Sequence, residues 1–263
     1  MRIPLIAGNW KMNKTIGEAN DFADNFRGEV AMVDNAEILL CPPYLAISSV
    51  VDRVAGSNVA VGAQDVFWKE SGAYTSQVSS KMLLDAGCTY TIIGHSETRG
   101  RFGAEKMTPG QLAYFGESDE TVNIKLHAAL AAGLKVIVCC GETIDERKAG
   151  KTDEVIRIQI ESGLAGLTPE QAADMVVAYE PVWAIGTGEV CDTPEANRVC
   201  GMIRGVVRSL YGDAAAEGVR VQYGGSVKPD NAKEILSQSD IDGALVGGAA
   251  LKVADFVAIV KSA

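Results

Sequence analysis

Eight short apolar runs punctuate the chain, and each is followed by a longer stretch in which apolar residues recur at helical spacing. The runs are Pro4–Ala7, Glu37–Cys41, Val59–Ala63, Tyr90–Ile93, Lys135–Cys139, Met175–Tyr179, Val219–Tyr223 and Asp242–Val246. Each reads as a strand, and stretches such as Thr15–Phe26, Glu120–Ala132, Pro194–Tyr211 and Ala254–Lys261 read as helices between them. Strand followed by helix, eight times over, predicts parallel strands joined by right-handed crossovers. Fewer repeats would suit an open doubly wound sheet; eight close a (β/α)8 barrel. No Gly-x-Gly-x-x-Gly comes after the first run, which removes the main support for a dinucleotide site. With no composition shift and no Pro/Ser-rich linker, residues 1–263 are expected to form a single (β/α)8 barrel domain.

Composition narrows the partners. A chain of 263 residues with 47% apolar and 22% charged residues is that of an ordinary globular protein of barrel length. The net charge of −10, without a basic cluster, argues against nucleic acid or an anionic membrane surface as partner. An anionic substrate remains compatible if the site itself is locally positive. Met1–Ala7 is too short for a membrane span or a signal peptide. The six cysteines (Cys41, Cys88, Cys139, Cys140, Cys191, Cys200) show no metal-type spacing with histidine. They are expected to be reduced core residues of a cytoplasmic protein, with no metal site.

In a barrel of this kind the site lies at the carboxyl ends of the strands, so the residues just after each run carry the functional signal. The sixth run ends at Glu180-Pro181, and beyond it lies an apolar loop closed by Gly186-Thr187-Gly188. Thr193-Pro194-Glu195 then reads as a helix start. A lone acid between a strand and a glycine-hinged loop suits a proton-moving base under a lid. The fourth run is succeeded by Gly94-His95-Ser96-Glu97, where Ser96-Glu97 can begin a helix. A helix start beside His95 disfavours imidazolium, making a neutral hydrogen-bond donor plausible. His127 falls inside an amphipathic helix and reads as structural. Asn9-Trp10-Lys11 comes after the first run, placing a cation there. Gly224-Gly225-Ser226 and Gly247-Gly248, each expected to open a helix, suit an anion cradle of backbone N–H groups. Each feature also has an ordinary reading: a water-facing acid, a core histidine, a solvated lysine, a common glycine turn. Taken together, one base, one neutral donor, one cation and a phosphate cradle suit proton abstraction next to a carbonyl.

These residues also carry a resemblance. Gly8-Asn9-Trp10-Lys11-Met12-Asn13, Gly62-Ala63-Gln64, Gly94-His95-Ser96-Glu97, Ala178 through Gly188, Tyr223-Gly224-Gly225-Ser226-Val227 and Asp242 through Ala249 occur in this order. Over essentially its whole length the chain resembles the triosephosphate isomerase family. The resemblance implies cofactor-free interconversion of dihydroxyacetone phosphate and D-glyceraldehyde 3-phosphate in glycolysis and gluconeogenesis. It implies Glu180 as base, His95 as electrophile, Lys11 and Asn9 at the substrate oxygens, and Glu97 as a supporting acid near Lys11. The substrate phosphate would sit on the N–H groups of Gly186, Ser226, Gly247 and Gly248. A homodimer is implied, in which Gly72-Ala73-Tyr74-Thr75 enters the partner's active-site region.

The chain departs from the family pattern in several places. Between Arg99 and Glu117 it is roughly a dozen residues longer, an inserted loop at about 100–113 of a kind that loop entropy tolerates. Gln77 and Thr98 stand where the family usually has glutamate and arginine that pair across the dimer interface. Losing both together leaves neither charge buried alone. Asp65 replaces a usual asparagine and adds a charge without an evident place. The distal end of the lid, Glu189-Val190-Cys191-Asp192, is slightly longer than usual and acidic where a lysine is common. Two other readings compete with the isomerase: an aldolase-type barrel using Lys11 as a Schiff base, which borohydride trapping would reveal, and a non-catalytic barrel that binds a sugar phosphate or another protein.

Overall fold

The computed structural model describes residues 2–263, and among them eight parallel strands pair in chain order, the last closing on the first. They are β1 (Leu5–Asn9), β2 (Glu37–Cys41), β3 (Val59–Ala63), β4 (Tyr90–Ile93), β5 (Lys135–Cys140), β6 (Val176–Tyr179), β7 (Arg220–Tyr223) and β8 (Gly243–Val246). Every expected strand is present, and the (β/α)8 barrel is the observed fold. The largest boundary shift is at β1, which continues to Asn9 because Gly8 and Asn9 stay in register with Leu40 and Cys41 of β2.

Alternation within each strand divides the core in two. Leu5, Ala7, Leu39, Ile92, Ile137 and Ala178 belong to a cluster that fills the barrel. Their neighbours Ile6, Ile38, Leu40, Val138, Val177 and Val246 pack outward into the larger cluster beneath the helices. Both faces of each strand are therefore buried, which is why the runs are mostly apolar instead of strictly alternating with polar residues. The interior also holds a polar side chain, Gln222, whose amide donates to the carbonyls of Leu5 and Ala244.

The helices start where local chemistry dictates. Thr15 caps Ile16–Glu29 in a reciprocal box with Glu18, and Ser118 caps Asp119–Ala132, which ends at Gly133 in the left-handed conformation. Asp192, not Thr193, caps Thr193–Tyr211 by accepting from the Glu195 N–H at 2.8 Å. All six cysteines are buried and free. His127 bonds the Ala165 carbonyl at 2.8 Å, a structural contact.

The amino-terminal end of the barrel is closed by polar contacts. Arg220 donates to Glu37 at 2.7 Å and to the Tyr90 hydroxyl at 3.0 Å, and that hydroxyl donates to Glu37 at 2.7 Å. Burial pushes the Glu37 carboxyl up, but Arg220 and Tyr90 outweigh it and hold the group below its ordinary value. A second network joins the helix Thr193–Tyr211 to the start of β8. Buried Arg204 pairs with Asp240 and Asp242 and donates to the carbonyls of Ala216 and Val219, both at 2.8 Å. Arg2 reaches the other oxygen of Asp242 at 2.7 Å. Arg204→Met should therefore destabilise the fold by about 3 kcal/mol, the low end for breaking a buried pair because Arg2 still faces Asp242. The check is a urea titration, in which the midpoint should fall at constant slope.

Candidate active site

The carboxyl ends of the strands surround a cleft of about 720 Å³. Its walls include Asn9, Lys11, His95 and Glu180, the loops that come after β7 and β8, and Ala184–Gly186 from the loop after Glu180. Four residues singled out along the chain, spread from position 9 to position 180, thus face one space.

Glu180 is only 2% exposed. One carboxylate oxygen lies 2.8 Å from His95 Nε2, and the other accepts the Ser96 N–H at 2.9 Å. Burial pushes this carboxyl up, yet the His95 contact, the Ser96 N–H and the Lys11 charge together hold it below its ordinary value. The backbone is pinned as well: the Glu180 N–H donates to the Cys140 carbonyl at 2.7 Å. Gly141 lies so close that a Cβ there would fall 1.7 Å from the Glu180 carbonyl oxygen, so no other residue fits.

The tautomer of His95 is set by its neighbours. The Glu97 N–H donates to Nδ1 at 3.2 Å, so that nitrogen carries no proton. Nε2 then bears the hydrogen and donates it to Glu180. The imidazole is a neutral donor facing the cleft. Ser96-Glu97 does not begin a helix, contrary to expectation. The Thr98 and Arg99 N–H groups close one turn on the His95 carbonyl, and Gly100, in the left-handed region at φ 69°, ends it. The turn is held from behind by Glu117, which accepts from the Gly94 N–H at 3.1 Å, from the Thr98 hydroxyl and from Lys125 at 2.6 Å. The unplaced charge of Asp65 finds its partner here, accepting from the same ammonium at 2.7 Å. Burial raises the Asp65 carboxyl, Lys125 opposes that, and Glu117 adds to it, leaving the group above its ordinary value.

Lys11 has a positive φ of 51°, an unfavourable conformation for a lysine. It is over-determined: its N–H donates to Asn9 Oδ1 at 3.0 Å, its carbonyl accepts from Gln64 at 2.9 Å, and its ammonium reaches Glu97 at 2.7 Å. Its side chain passes beside Gly247, where an added Cβ would lie 3.6 Å from Cε. Glu97 itself stands outside the cleft wall, behind Lys11.

The glycine cradle is built differently from the expectation. No helix starts at Gly224: Asn231 accepts the Lys228 N–H at 2.7 Å and donates to the Ser226 carbonyl at 3.0 Å, closing a turn, and the helix begins only at Ala232. Gly248 opens a single short 3₁₀ turn, Gly248–Leu251. The N–H groups of Gly186, Ser226, Gly247 and Gly248 are nevertheless left without an acceptor in the described chain. Lys228 and Lys252, on the rim, also line the cleft. Neither stood out in the sequence, since an exposed lysine carries no signal by itself.

The loop after Glu180 is tied at its base. Val182–Ala184 forms a 3₁₀ turn, Trp183 Nε1 donates to buried Glu142 at 2.8 Å, and the Thr187 hydroxyl donates to the Trp183 carbonyl at 2.7 Å. Gly186 and Gly188, at φ 69° and 86°, bracket the tip. Two contributors escaped the sequence reading: the Ser96 N–H, which holds Glu180, and Glu142, which holds Trp183. Among the described residues no group of side chains could hold a metal ion.

The family model of triosephosphate isomerase matches residues 4–263. The triosephosphate isomerase of Moorella thermoacetica is 52% identical over 261 residues, 99% of each chain, and that of Symbiobacterium thermophilum is 49% identical over 263, covering 100% of this chain and 98% of the other. A crystal structure of triosephosphate isomerase from Bartonella henselae superposes with a TM-score of 0.84 at 38% identity, covering 99% of this chain and 98% of that one. Barrel closure, the residues that face the cleft and these likenesses agree, and the chain belongs to the triosephosphate isomerase family of enzymes.

Proposed function

We propose that this chain interconverts dihydroxyacetone phosphate and D-glyceraldehyde 3-phosphate without a cofactor, in glycolysis and gluconeogenesis. The observation that carries the reading is the pair Glu180–His95: a buried, ionised carboxylate and a neutral imidazole donor, in contact, facing one cleft beside backbone N–H groups without acceptors.

In the proposed mechanism Glu180 leaves His95 Nε2 and the Ser96 N–H to take a proton from the carbon next to the substrate carbonyl. His95 Nε2–H, freed by that movement, donates to the substrate oxygen on which negative charge develops, with Lys11 and Asn9 beside it. The enediolate then receives the proton on the adjacent carbon, while a second proton passes from the hydroxyl of the first carbon to the oxygen of the second, so that the carbonyl re-forms at the first. The N–H groups of Gly186, Ser226, Gly247 and Gly248 hold the phosphate. Because Gly186 belongs to the loop over the site, phosphate binding would draw that loop closed and keep water from the intermediate. Glu97 holds Lys11 in place. The Schiff-base alternative is less well supported, since the Lys11 ammonium is already engaged by Glu97. Among the described residues no helix is long and apolar enough to cross a membrane, and we place the enzyme in the cytoplasm. A homodimer is part of the proposal, supported by Met12 and Leu45, apolar yet 96% and 86% exposed.

Purified protein, without added metal, should exchange solvent deuterium into carbon-bound positions of dihydroxyacetone phosphate while forming glyceraldehyde phosphate, as monitored by NMR. Glu180→Gln should abolish the exchange, and Glu180→Asp, by withdrawing the carboxylate, should lower kcat by roughly 10²–10³-fold with little change in binding. Binding without exchange in the unaltered protein would leave a sugar-phosphate-binding barrel instead.

A second expectation concerns pH. The His95 contact helps hold the Glu180 carboxyl low, so His95→Ala should raise it. A carboxyl with a raised pKa is protonated at higher pH, so the acid limb of kcat/KM should move upward in the variant. Comparing variant with parent on the same substrate cancels titration of the substrate phosphate. An unmoved or downward limb would contradict the assignment.

A further inference from the structure

Residues 100–116 leave the turn that carries His95 and cross to the loop over the site. Arg101 anchors the start: its N–H donates to the Ser96 carbonyl at 2.8 Å, and its guanidinium donates to the Gly141 carbonyl at 2.8 Å and to Glu146. Two residues on, Gly103 is pressed against the base of the loop. A Cβ at Gly103 would lie 2.4 Å from the Ile185 carbonyl oxygen, 2.5 Å from that of Val182 and 3.0 Å from the Thr187 methyl. Two of these atoms are backbone, so no small side-chain movement could admit a methyl group. Farther along, Phe102 and Phe115 meet edge to face at 5.2 Å, closing the segment on itself.

The two carbonyls under Gly103 belong to opposite sides of a hinge. Val182 is buried, and its N–H is fixed to the Glu142 carbonyl at 3.1 Å. Ile185 is half-exposed and is the residue from which the glycine-bracketed tip departs. A lid that swings here must change the separation of Val182 from Ile185, and Gly103 touches both.

We propose that the 100–116 segment braces the lid hinge, with Gly103 as a positioning residue whose missing side chain lets the segment seat against Val182 and Ile185 and so sets how well the lid closes. The inference rests on the isomerase reading and adds to it a part of the chain that touches no substrate. Its consequence is chemical. In an enediolate that the lid fails to cover, the oxygen on the terminal carbon reforms a carbonyl, the double bond shifts, and the C–O bond to phosphate breaks. Inorganic phosphate leaves with the bonding pair, and the enol left behind becomes methylglyoxal by gaining a proton at its CH2 carbon and losing the one on its hydroxyl. Poor closure therefore appears as a larger share of elimination per turnover, a ratio that loss of folded protein does not alter.

The test compares Gly103→Ala with Gly110→Ala, a control in the same segment where an added methyl has its nearest neighbour 4.0 Å away. Each protein receives dihydroxyacetone phosphate. The ratio of methylglyoxal to glyceraldehyde phosphate is measured, together with hydrogen exchange of the peptide spanning 182–191. Gly103→Ala should raise the ratio about fivefold or more, lower kcat roughly tenfold and speed exchange in that peptide, while Gly110→Ala matches the parent. If Gly103→Ala does not fold, Arg101→Met, which cuts the anchor without crowding the hinge, should raise the ratio and speed exchange in the same direction. A folded Gly103→Ala or Arg101→Met protein with parental ratio and parental exchange would overturn the brace. An unaltered protein that forms no glyceraldehyde phosphate would instead overturn the isomerase reading, and hydrogen exchange would still decide the brace.

Discussion

A carboxylate taken almost wholly out of water is costly unless donors replace its hydration, and the upper end of this barrel is arranged to supply such donors to both oxygens of Glu180. Two neighbouring strands contribute. The turn after β4 supplies His95 and the Ser96 N–H, β5 supplies the Cys140 carbonyl that fixes the Glu180 backbone, and Gly141 leaves room for the chain to pass. In the proposed mechanism the donors that keep this charge ionised are the ones Glu180 leaves, so the contacts that stabilise the resting site would also be those given up in turnover.

Behind the visible site lies a layer of charge that holds the His95 turn in place. Two carboxylates, Glu117 and Asp65, share the single ammonium of Lys125, and Glu117 also receives the Gly94 N–H and the Thr98 hydroxyl. The Thr98 hydroxyl is thereby engaged within the chain itself. Burial pushes the Asp65 carboxyl up and Glu117 adds to that, and the ammonium shared between the two acids offsets it only in part.

The fold was legible because a strand buried on both faces leaves a mostly apolar run, and eight such runs admit few architectures. Glu180, His95 and Lys11 were legible for a related reason: a polar residue directly after such a run stands at the mouth of a barrel. Geometry carried by the backbone was not. The Ser96 N–H has no side-chain signature, and the turn around Asn231 that displaces the expected helix depends on one amide reaching two backbone groups. Partnerships between distant polar groups, such as Asp65 with Lys125 or Trp183 with Glu142, were equally invisible, since they depend on which loops and helices become neighbours once the barrel closes.

Closure itself has a consequence for how the molecule comes into being. β1 pairs with β8, so Leu5–Gly8 finds its second partner only in Gly243–Val246. The cleft likewise draws on Asn9 and Lys11 at one end of the chain and Gly247 and Gly248 at the other. On the ribosome, the first strand must wait with one edge unpaired until the last has emerged. The cleft would therefore be completed abruptly, once β8 and the two glycines after it have emerged and the barrel can close.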